Sequence, residues 1–265
     1  MMGLVAVSVA SASATGGQWI RVARMNVARG AHTLTLLPGG RVLVAGGCGE
    51  NDCTIRATEL YDPATNTWSP AGLLALGRGL HQAARLPDGR VMVVGGTDGN
   101  VQFRSTEIYD PATGQWTTGP QLHDGRSRFG LTSVRRGAQA LYLAASGCCV
   151  GGSISLLRTA EVYDPSRNQW FRVGNLNRPR KEFGFTTLGD GSALAAGGEN
   201  REVFQQTSER FDPQTLMWQL TADNIPKAVA EVPLVTLDNG LALIAGGKLS
   251  DETEVQTPAS AVFQP

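Results

Sequence analysis

The sequence has no excess of charge of either sign, few aromatic residues and no long hydrophobic run. Its 265 residues include 23 basic and 23 acidic side chains, which gives a formal net charge of zero. A nucleic-acid-binding surface would need a strong basic excess, so the sequence predicts no nucleic-acid partner. No apolar run approaches the roughly 18 residues of a membrane-spanning helix, and no membrane span is predicted.

Motifs of known chemistry are absent as well. The sequence contains no phosphate-binding loop, no nucleotide-binding fingerprint and no recognisable Ser-His-Asp arrangement. It has only three histidines and four cysteines, which limits the metal sites that it could form. We therefore predict neither a cofactor nor a metal ion.

The N-terminus carries the one short apolar run that could have a targeting role. Residues 3–10 are apolar, and Ala12-Ser13-Ala14 fits the small-residue cleavage site of a secretory signal peptide, but the basic segment that should precede the run is lacking. Residues 1–14 are therefore predicted to be either the remnant of a signal peptide or a flexible tail. Residues 15–265 are predicted to form a single domain.

What the sequence does contain is a repeat of about fifty residues. The stretch Thr106–Trp116 reads TEIYDPATGQW, and it has a close copy at Thr58–Trp68 and weaker copies that end at Trp170 and Trp218. A second marker, an apolar segment closed by two small residues, keeps the same period at Gly46, Gly95, Ser146, Gly197 and Gly246. Two independent markers with one period identify a repeat architecture.

Each repeat divides into four predicted strands, named a to d. In the second copy, strand a covers 81–86, strand b 90–94, strand c 106–109 and strand d 115–118. Asp88-Gly89 between strands a and b predicts a type I′ turn, because glycine supplies positive φ. Strand b is apolar almost throughout, as expected of a strand that is buried on both faces.

The Gly-Gly, Tyr and Trp markers, in this spacing, resemble the kelch repeat, in which each copy forms one four-stranded blade of a β-propeller. The resemblance covers the chain from Trp19 to Pro265 and implies an all-β fold, a five-bladed kelch-type propeller. The family usually has six blades, and the third copy departs from the pattern: it has Ser146-Gly147, and its a–b turn is expected to be longer. The Gly-His and Trp-Asp signatures of WD repeats are absent.

The two ends of the chain predict how the ring closes. The fifth copy stops at the end of strand c and lacks a strand d, whereas residues 15–20 (TGGQWI) read like the start of strand d in the second copy. We expect the N-terminal segment to complete the last blade, which would remove the exposed edge that it otherwise leaves.

Arginines recur where strand a begins. The resemblance places the d–a and b–c loops around the mouth of the central channel, where kelch-like proteins usually bind partners or substrates. Ligand-binding candidates on this face are Arg29, His32, Arg78, His81, Arg126, Arg128 and Arg180. Converging guanidinium groups suit carboxylates or sulfates. The structural alternative pairs four of the arginines with Glu59, Glu107, Glu161 and Glu209; it is favoured because the fifth copy loses both partners, having Val229 and Ala261.

The remaining candidates are histidines, acids and cysteines. His32, His81 and His123 lie on this face, but a histidine is common in the kelch pattern, and a metal site is not favoured. Acidic candidates are Asp98, Glu182, Glu202 and Glu231, of which no pair stands out. Cys48 and Cys53 are predicted to close a small disulfide, and Cys148 and Cys149 either form a vicinal bridge or pair elsewhere. An even number of cysteines in loops favours an oxidising compartment.

The sequence thus predicts a binding module that holds a protein, or a small anionic or carbohydrate ligand, over an Arg/His-lined mouth. The alternative is a carbohydrate-handling enzyme that uses the same mouth, because kelch-like mutarotases are the nearest resemblance among enzymes. A secreted or periplasmic location is expected, and otherwise a cytoplasmic one. No catalytic residue can be named from the sequence.

Overall fold

The computed structural model of the protein describes residues 19–148, 156–201, 203–249 and 256–265. All regular structure in these ranges is β-strand, and none of it is helix. A helix long and apolar enough to cross a membrane is accordingly not found there. In these ranges the strands build five antiparallel sheets of three or four strands that follow one another along the chain, which we call blades 1 to 5, and one two-stranded hairpin.

The first three blades have four strands each. Blade 1 consists of β1 (Thr33–Leu36), β2 (Val42–Ala45), β3 (Ala57–Asp62) and β4 (Thr67–Leu73). Blade 2 consists of β5 (Gln82–Arg85), β6 (Val91–Val94), β7 (Thr106–Asp110) and β8 (Gln115–Thr118). Blade 3 consists of β9 (Gly130–Arg136), β10 (Gln139–Ala145), β11 (Ala160–Asp164) and β12 (Gln169–Arg172). In each blade, chain neighbours pair in order, as a propeller requires.

The last two blades differ in detail. Blade 4 contains β13 (Gly184–Thr187), β14 (Ala193–Ala196), the small hairpin of β15 (Glu199–Asn200) and β16 (Val203–Phe204), then β17 (Ser208–Asp212) and β18 (Met217–Leu220). The hairpin stands apart from the four-stranded sheet. Blade 5 contains β19 (Leu234–Thr236), β20 (Ala242–Ala245) and β21 (Ser260–Phe263). Among the described residues it therefore has three strands.

The core lies between neighbouring blades. The second strand of a blade is apolar on both faces because it is packed on both: all four residues of β6 are fully buried. The first strands contact one another in series, β1 with β5, β5 with β9, β9 with β13 and β13 with β19. One apolar cluster joins blades 1 and 2 through Leu43 and Val91, and another joins blades 3 and 4 through Leu143 and Ala195.

The repeated tyrosine and tryptophan belong to this core. Tyr109 and Trp116 lie opposite each other on β7 and β8, with ring centroids 5.2 Å apart. Trp116 also reaches across to blade 1, where its indole N–H donates to the carbonyl of Ala71 over 3.1 Å. Trp170 and Trp218 are also buried against the preceding blade, although their indole N–H groups have no hydrogen-bond partner among the described residues. The repeat is thus a packing unit in which the tryptophans of blades 2, 3 and 4 pack against the blade before.

The turn between strands a and b differs from the prediction. In the Leu86–Gly89 turn only Gly89 has a positive φ, of 89°, and its N–H donates to the carbonyl of Leu86 over 2.9 Å. The predicted type I′ turn would need positive φ at both of its central residues, Asp88 and Gly89. Asp88 does not have a positive φ, so the predicted type I′ turn is wrong. The central residues of the observed turn are Pro87, whose ring locks φ at a negative value, and Asp88.

The third copy also differs from the prediction. Its a–b connection is shorter than in the other blades, not longer, because β9 and β10 stay paired as far as Arg136 and Gln139. Gly137, with φ of 59°, makes the tight connection. The residues that this copy has in addition lengthen β9 and β10 and not the turn between them.

Ring closure by the N-terminal segment is not part of what the structure describes. Trp19 and Ile20 are exposed and belong to no strand, and residues 1–18, including the predicted tail or signal remnant, lie outside the described residues. Among the described residues, β1 and β19 lack the close packing that joins the other first strands in series. Closure therefore stays a prediction.

We expect Gly96→Ala to destabilise the protein much more than Gly99→Ala. Both glycines have positive φ, which costs about 1–2 kcal/mol for alanine. A Cβ on Gly96 would also lie 2.7 Å from Cβ of His81 and 2.8 Å from the carbonyl of Gly79, whereas a Cβ on Gly99 meets nothing within 4 Å. Overpacking of this kind costs about 1–3 kcal/mol more. Urea unfolding measures the difference, and equal losses in both variants would contradict the blade contact.

Candidate functional site

The four repeated arginines at the start of strand a are buried in salt bridges. Arg29, Arg78, Arg126 and Arg180 pair with Glu59, Glu107, Glu161 and Glu209, over 2.7, 2.7, 2.8 and 2.8 Å. Each arginine side chain is fully buried, and the glutamates are at most 4% exposed. The structural alternative that the sequence favoured is thus confirmed for all four.

The same network surrounds each pair. In blade 2, Nη1 of Arg78 donates to the carbonyls of Gly95 and Ser105, over 2.8 and 3.0 Å, so the guanidinium ties the end of strand b to the start of strand c. Glu107 accepts two backbone N–H groups from the linker that arrives from blade 1, at Ala75 and Leu76. The pair therefore joins two strands of its own blade to the preceding blade.

In the fifth blade, both members of the arginine–glutamate pair are replaced by apolar residues. Val229 and Ala261 occupy the two positions, and both belong to an apolar cluster around Ile244. Replacing both members of a buried ion pair by apolar groups is tolerated, whereas removing one leaves an uncompensated charge. Because their N–H groups already bond to backbone carbonyls and glutamates inside the blades, the four guanidinium groups are not placed to bind a ligand at the mouth.

Five residues with the same unusual backbone conformation stand two positions after the repeated arginines, or after Val229 in blade 5. We call Ala31, Leu80, Arg128, Glu182 and Glu231 the mouth ring. All five have positive φ, between 48° and 54°, although none is glycine. Such outliers are costly and are often held in place near functional sites.

Each member of the mouth ring after Ala31 is bonded to the one before it. The N–H of Leu80 donates to the carbonyl of Ala31 over 3.0 Å, and that of Arg128 to Leu80 over 3.2 Å. The series continues from Glu182 to Arg128 over 3.4 Å and from Glu231 to Glu182 over 2.8 Å. These four bonds join the same repeat position of all five blades, on the side where the first strands of neighbouring blades pack together.

The rim is apolar on one side and charged on the other. Blades 1 and 2 contribute Ala31 and Leu80, whereas blades 3 to 5 contribute Arg128, Glu182 and Glu231. Arg128 forms a salt bridge with Glu182, with side chains 37% and 20% exposed. Next to this pair, Lys181 pairs with Glu199 over 3.0 Å and Lys248 lies 3.8 Å from Glu231. The accessible cationic group of the predicted set is thus Arg128.

The three histidines do not converge. His81 is buried between blades 1 and 2, and its Nε2 lies 2.9 Å from Oγ1 of Thr33. His32 is half-buried at the open side of blade 1, and Nδ1 of His123 lies 2.7 Å from Glu161. The described ranges contain no group of three or more His, Cys, Asp or Glu that could hold a metal ion.

Burial determines the charge state of the two mouth-side histidines. Desolvation, together with the nearby Arg78 charge, lowers the pKa of His81 to about 3. The pKa of His32 is also lowered, by burial and by Arg29. Both rings are therefore neutral near pH 7, and neither adds positive charge to the mouth.

The cysteines and the other acidic candidates take mostly structural places. Cys48 and Cys53 form the predicted disulfide in the first b–c loop. Cys148 is buried and its backbone pairs with Ser127, whereas Cys149 lies outside the described residues, so the vicinal bridge stays a prediction. Asp98 shapes a turn by accepting the N–H groups of Asn100 and Val101, and these bonds lower its pKa. Glu202 also lies outside the described residues.

Sequence reasoning missed the role of the mouth ring. No residue type is common to its five positions, so no pattern marks them. The available hint was the fixed offset of two residues after each arginine, which only the backbone geometry makes meaningful.

Two family models match the chain, and both are described as the kelch motif. One covers residues 28–74, and the other covers residues 81–123 and 149–177. The matches fall on blades 1, 2 and 3, and of the four repeated arginines they include Arg29.

Curated relatives match over part of the chain. Kelch-like protein 15 of Mus musculus is 33% identical over 103 residues, which is 39% of this chain and 16% of that protein. A kelch repeat and BTB domain-containing protein of Caenorhabditis elegans is 29% identical over 91 residues, 34% of this chain and 16% of that protein. The matched segments thus span less than a fifth of these relatives. The solved structure of YjhT superimposes with a TM-score of 0.72 at 16% identity, covering 94% of this chain and 86% of that one, which is a likeness of fold.

We expect Arg126→Ala to lower the free energy of unfolding by about 3–5 kcal/mol, because it leaves Glu161 buried without its partner. The matched control is Arg172→Ala, which removes a half-exposed arginine from its pair with Asp124. Exposed pairs contribute about 0–1 kcal/mol. Chemical denaturation measures both variants, and similar losses would show that the buried pair has no special role.

We expect His81→Phe to reduce the acid sensitivity of the fold. With its pKa near 3 when folded and 6.5 when unfolded, His81 takes up a proton on unfolding between these values, so its contribution is lost as pH falls below 6.5. Phenylalanine fits, because Phe129 holds the equivalent place in blade 3. Between pH 6.5 and 5.0 the wild type should lose about 2 kcal/mol more than the variant. Parallel pH dependences in urea unfolding would refute this.

Proposed function

Because this chain belongs to the kelch-repeat family and folds as a β-propeller, we propose that it is a binding module that holds its partner over the mouth ring. The partner is an acidic segment of a protein, or a small anionic or carbohydrate ligand. Kelch propellers typically bind proteins, which supports the first of these. The ring itself supplies a rigid rim, and binding to a preformed surface avoids the cost of ordering it.

The observation that carries this proposal is the position of Arg128. Among the arginines predicted for the site, it combines a side chain that is 37% exposed with a backbone fixed in the mouth ring. A guanidinium group can bind a carboxylate through two parallel hydrogen bonds. An acidic ligand would therefore dock at Arg128 and not at the buried arginines two residues before each ring position.

Glu182 is the competitor for that contact. It already supplies a carboxylate to Arg128, and the two side chains are 37% and 20% exposed. Because both keep some contact with solvent, a ligand carboxylate displaces Glu182 at a lower cost than it would displace a fully buried partner. The apolar side of the rim, at Ala31 and Leu80, would contact the uncharged part of the same partner.

The alternative of a carbohydrate-handling enzyme has no specific observation in its favour among the described residues, and we do not carry it further. We also propose an oxidising location, secreted or periplasmic. The Cys48–Cys53 disulfide supports this, because such bonds persist mainly in oxidising compartments.

We expect Arg128→Ala to reduce strongly the response of the protein to anionic ligands. The probes are citrate, glucuronate and a short polyglutamate peptide. A probe at 100 times its dissociation constant stabilises the fold by about 2.7 kcal/mol, or roughly 5–10 °C in apparent melting temperature. The loss of a charge-assisted contact of about 1.5–3 kcal/mol weakens binding by about ten- to a hundredfold.

Two further variants make this measurement specific. Glu182→Gln removes the competing carboxylate and should strengthen binding of the same probe several-fold. Arg172→Ala, which removes a half-exposed arginine away from the mouth ring, should leave the response unchanged. The proposal fails if Arg128→Ala responds to the probes as the wild type does.

A further inference from the structure

Three further arginines recur where the third strand of a blade begins, and they take no part in the arginine–glutamate pairs. Arg56, Arg104 and Arg158 each stand three residues before the paired glutamate of their blade. All three are exposed, whereas the arginines of the pairs are buried. We call these three residues the outer arginine row. Because they share one repeat position, blades 1, 2 and 3 present them in the same way.

The outer arginine row lies at the same end of the blades as the mouth ring. The first and third strands of an antiparallel sheet begin at the same end, and each sheet is ordered from its first strand to its fourth. The mouth ring precedes the first strands, which pack against those of neighbouring blades, whereas the outer arginine row precedes the third strands. The row is therefore a separate surface, two strands farther out than Arg128.

The linker that leaves each blade fixes the arginine of the row. In all three blades, Nε donates to the carbonyl of a fully buried leucine in this linker. The acceptors are Leu74, Leu122 and Leu176, over 2.7, 2.8 and 2.9 Å. The N–H groups of the same leucines donate back to the arginine carbonyls over 2.9, 2.8 and 2.8 Å. Each arginine is thus tied to the core of its blade by two hydrogen bonds.

The Nη groups of the row remain available to a ligand. Within the part of the chain that the structure describes, they make no hydrogen bond, and the three arginines form no salt bridge. Two acids of the same loops, Asp52 and Asp98, accept hydrogen bonds from their own loops instead. The edge formed by Nη1 and Nη2 can bind a carboxylate through two parallel hydrogen bonds.

Blade 4 shows that holding the linker does not require a charge. Gln206 occupies the equivalent position, and its Nε2 lies 3.4 and 3.3 Å from the carbonyls of Ile225 and Pro226. The N–H of Ile225 donates back to the carbonyl of Gln206 over 2.8 Å, as the leucines do in the other blades. Blade 5 has Pro258 at this position. The positive charge is therefore restricted to blades 1 to 3, and the fold alone does not account for it.

Exposed apolar side chains accompany the row. Leu73 and Leu76 stand on either side of the linker leucine that holds Arg56, and Val101 stands three residues before Arg104. These three side chains are between 43% and 58% exposed. A ligand that complements both the guanidinium groups and these apolar groups carries carboxylates and apolar side chains together. An acidic protein segment has this chemistry, whereas a sulfated polysaccharide has only the anionic part.

We propose that the outer arginine row binds an acidic segment of a partner protein, in which carboxylates alternate with apolar side chains. The carboxylates bond to the Nη groups, and the apolar side chains contact Leu73, Leu76 and Val101. Because the linkers already hold the arginines, binding orders less side chain than it would at unrestrained arginines. This surface is distinct from the mouth ring, and the inference does not rest on the proposed function.

The test compares two triple variants of the full chain. In the row variant, Arg56→Gln, Arg104→Gln and Arg158→Gln remove the charges but keep an amide that can meet the linker, as Gln206 does. The control variant combines Arg85→Gln, Arg135→Gln and Arg136→Gln, which removes three exposed charges at the opposite end of the blades. The probe is a fluorescent peptide of repeated Glu-Glu-Leu units, and fluorescence anisotropy measures its Kd.

The row variant should bind the probe about a hundredfold more weakly than the wild type, because each lost exposed pair weakens binding by about fivefold. The control variant should bind within about twofold of the wild type, since its arginines lie away from the row. Wild-type binding should weaken as ionic strength rises, because salt screens exposed charges. Urea unfolding should not distinguish the row variant from the wild type. Equal losses of binding in the two triple variants, or no wild-type binding at low ionic strength, would overturn the proposal.

A second variant tests the apolar contact without changing any arginine. Leu73→Ser combined with Val101→Ser should weaken binding of the Glu-Glu-Leu peptide and leave binding of polyglutamate unchanged. Both side chains are exposed, so this variant answers the question independently of the stability of the row variant. If polyglutamate or heparin binds the wild type as tightly as the Glu-Glu-Leu peptide does, the assignment to a protein segment is wrong and the row binds polyanions in general.

Discussion

The buried arginine–glutamate pair is the interaction on which the blades depend. Taking two charges out of water is expensive, and close pairing together with further hydrogen bonds offsets the cost. Each pair also bonds to two strand ends and to the incoming linker, as Arg126 and Glu161 do in blade 3, although Nε of Arg126 and of Arg180 has no partner among the described residues. These bonds need both members of the pair at fixed places in the repeat. This also explains why the fifth blade changes both positions together.

Burial in these pairs distinguishes the four structural arginines from Arg128, whose side chain remains accessible to a ligand. Arg126 and Arg128 are two residues apart, but the first is fully buried and the second is open to solvent. The backbone at the second of these arginines is left-handed, with φ of 51°. Of the arginines that the sequence analysis assigned to ligand binding, Arg128 thus keeps an accessible guanidinium, and Glu182 is its salt-bridge partner.

The repeat was sufficient to predict the fold, because the spacing of Gly-Gly, Tyr and Trp reports directly on strands b, c and d. The b, c and d strands of blade 2 fall within one residue of their predicted bounds at each end. The turn at Pro87 and the extended strands of blade 3 could not be read in the same way, since they depend on local φ values and on pairing. The mouth ring was not predictable at all, because it is made of backbone bonds between residues of different types.

The mouth ring is held by hydrogen bonds between neighbouring blades, so its last member depends on how blade 5 is supported. In a repeat architecture each unit is stabilised mainly by its neighbours. Among the described residues, β19 of blade 5 packs closely against β13 of blade 4, and no equally close packing joins it to β1 of blade 1. The N–H of Glu231 donates to the carbonyl of Glu182 over 2.8 Å. Contacts that fix blade 5 against blade 4 therefore also fix Glu231 relative to Glu182, and with it the charged side of the mouth ring.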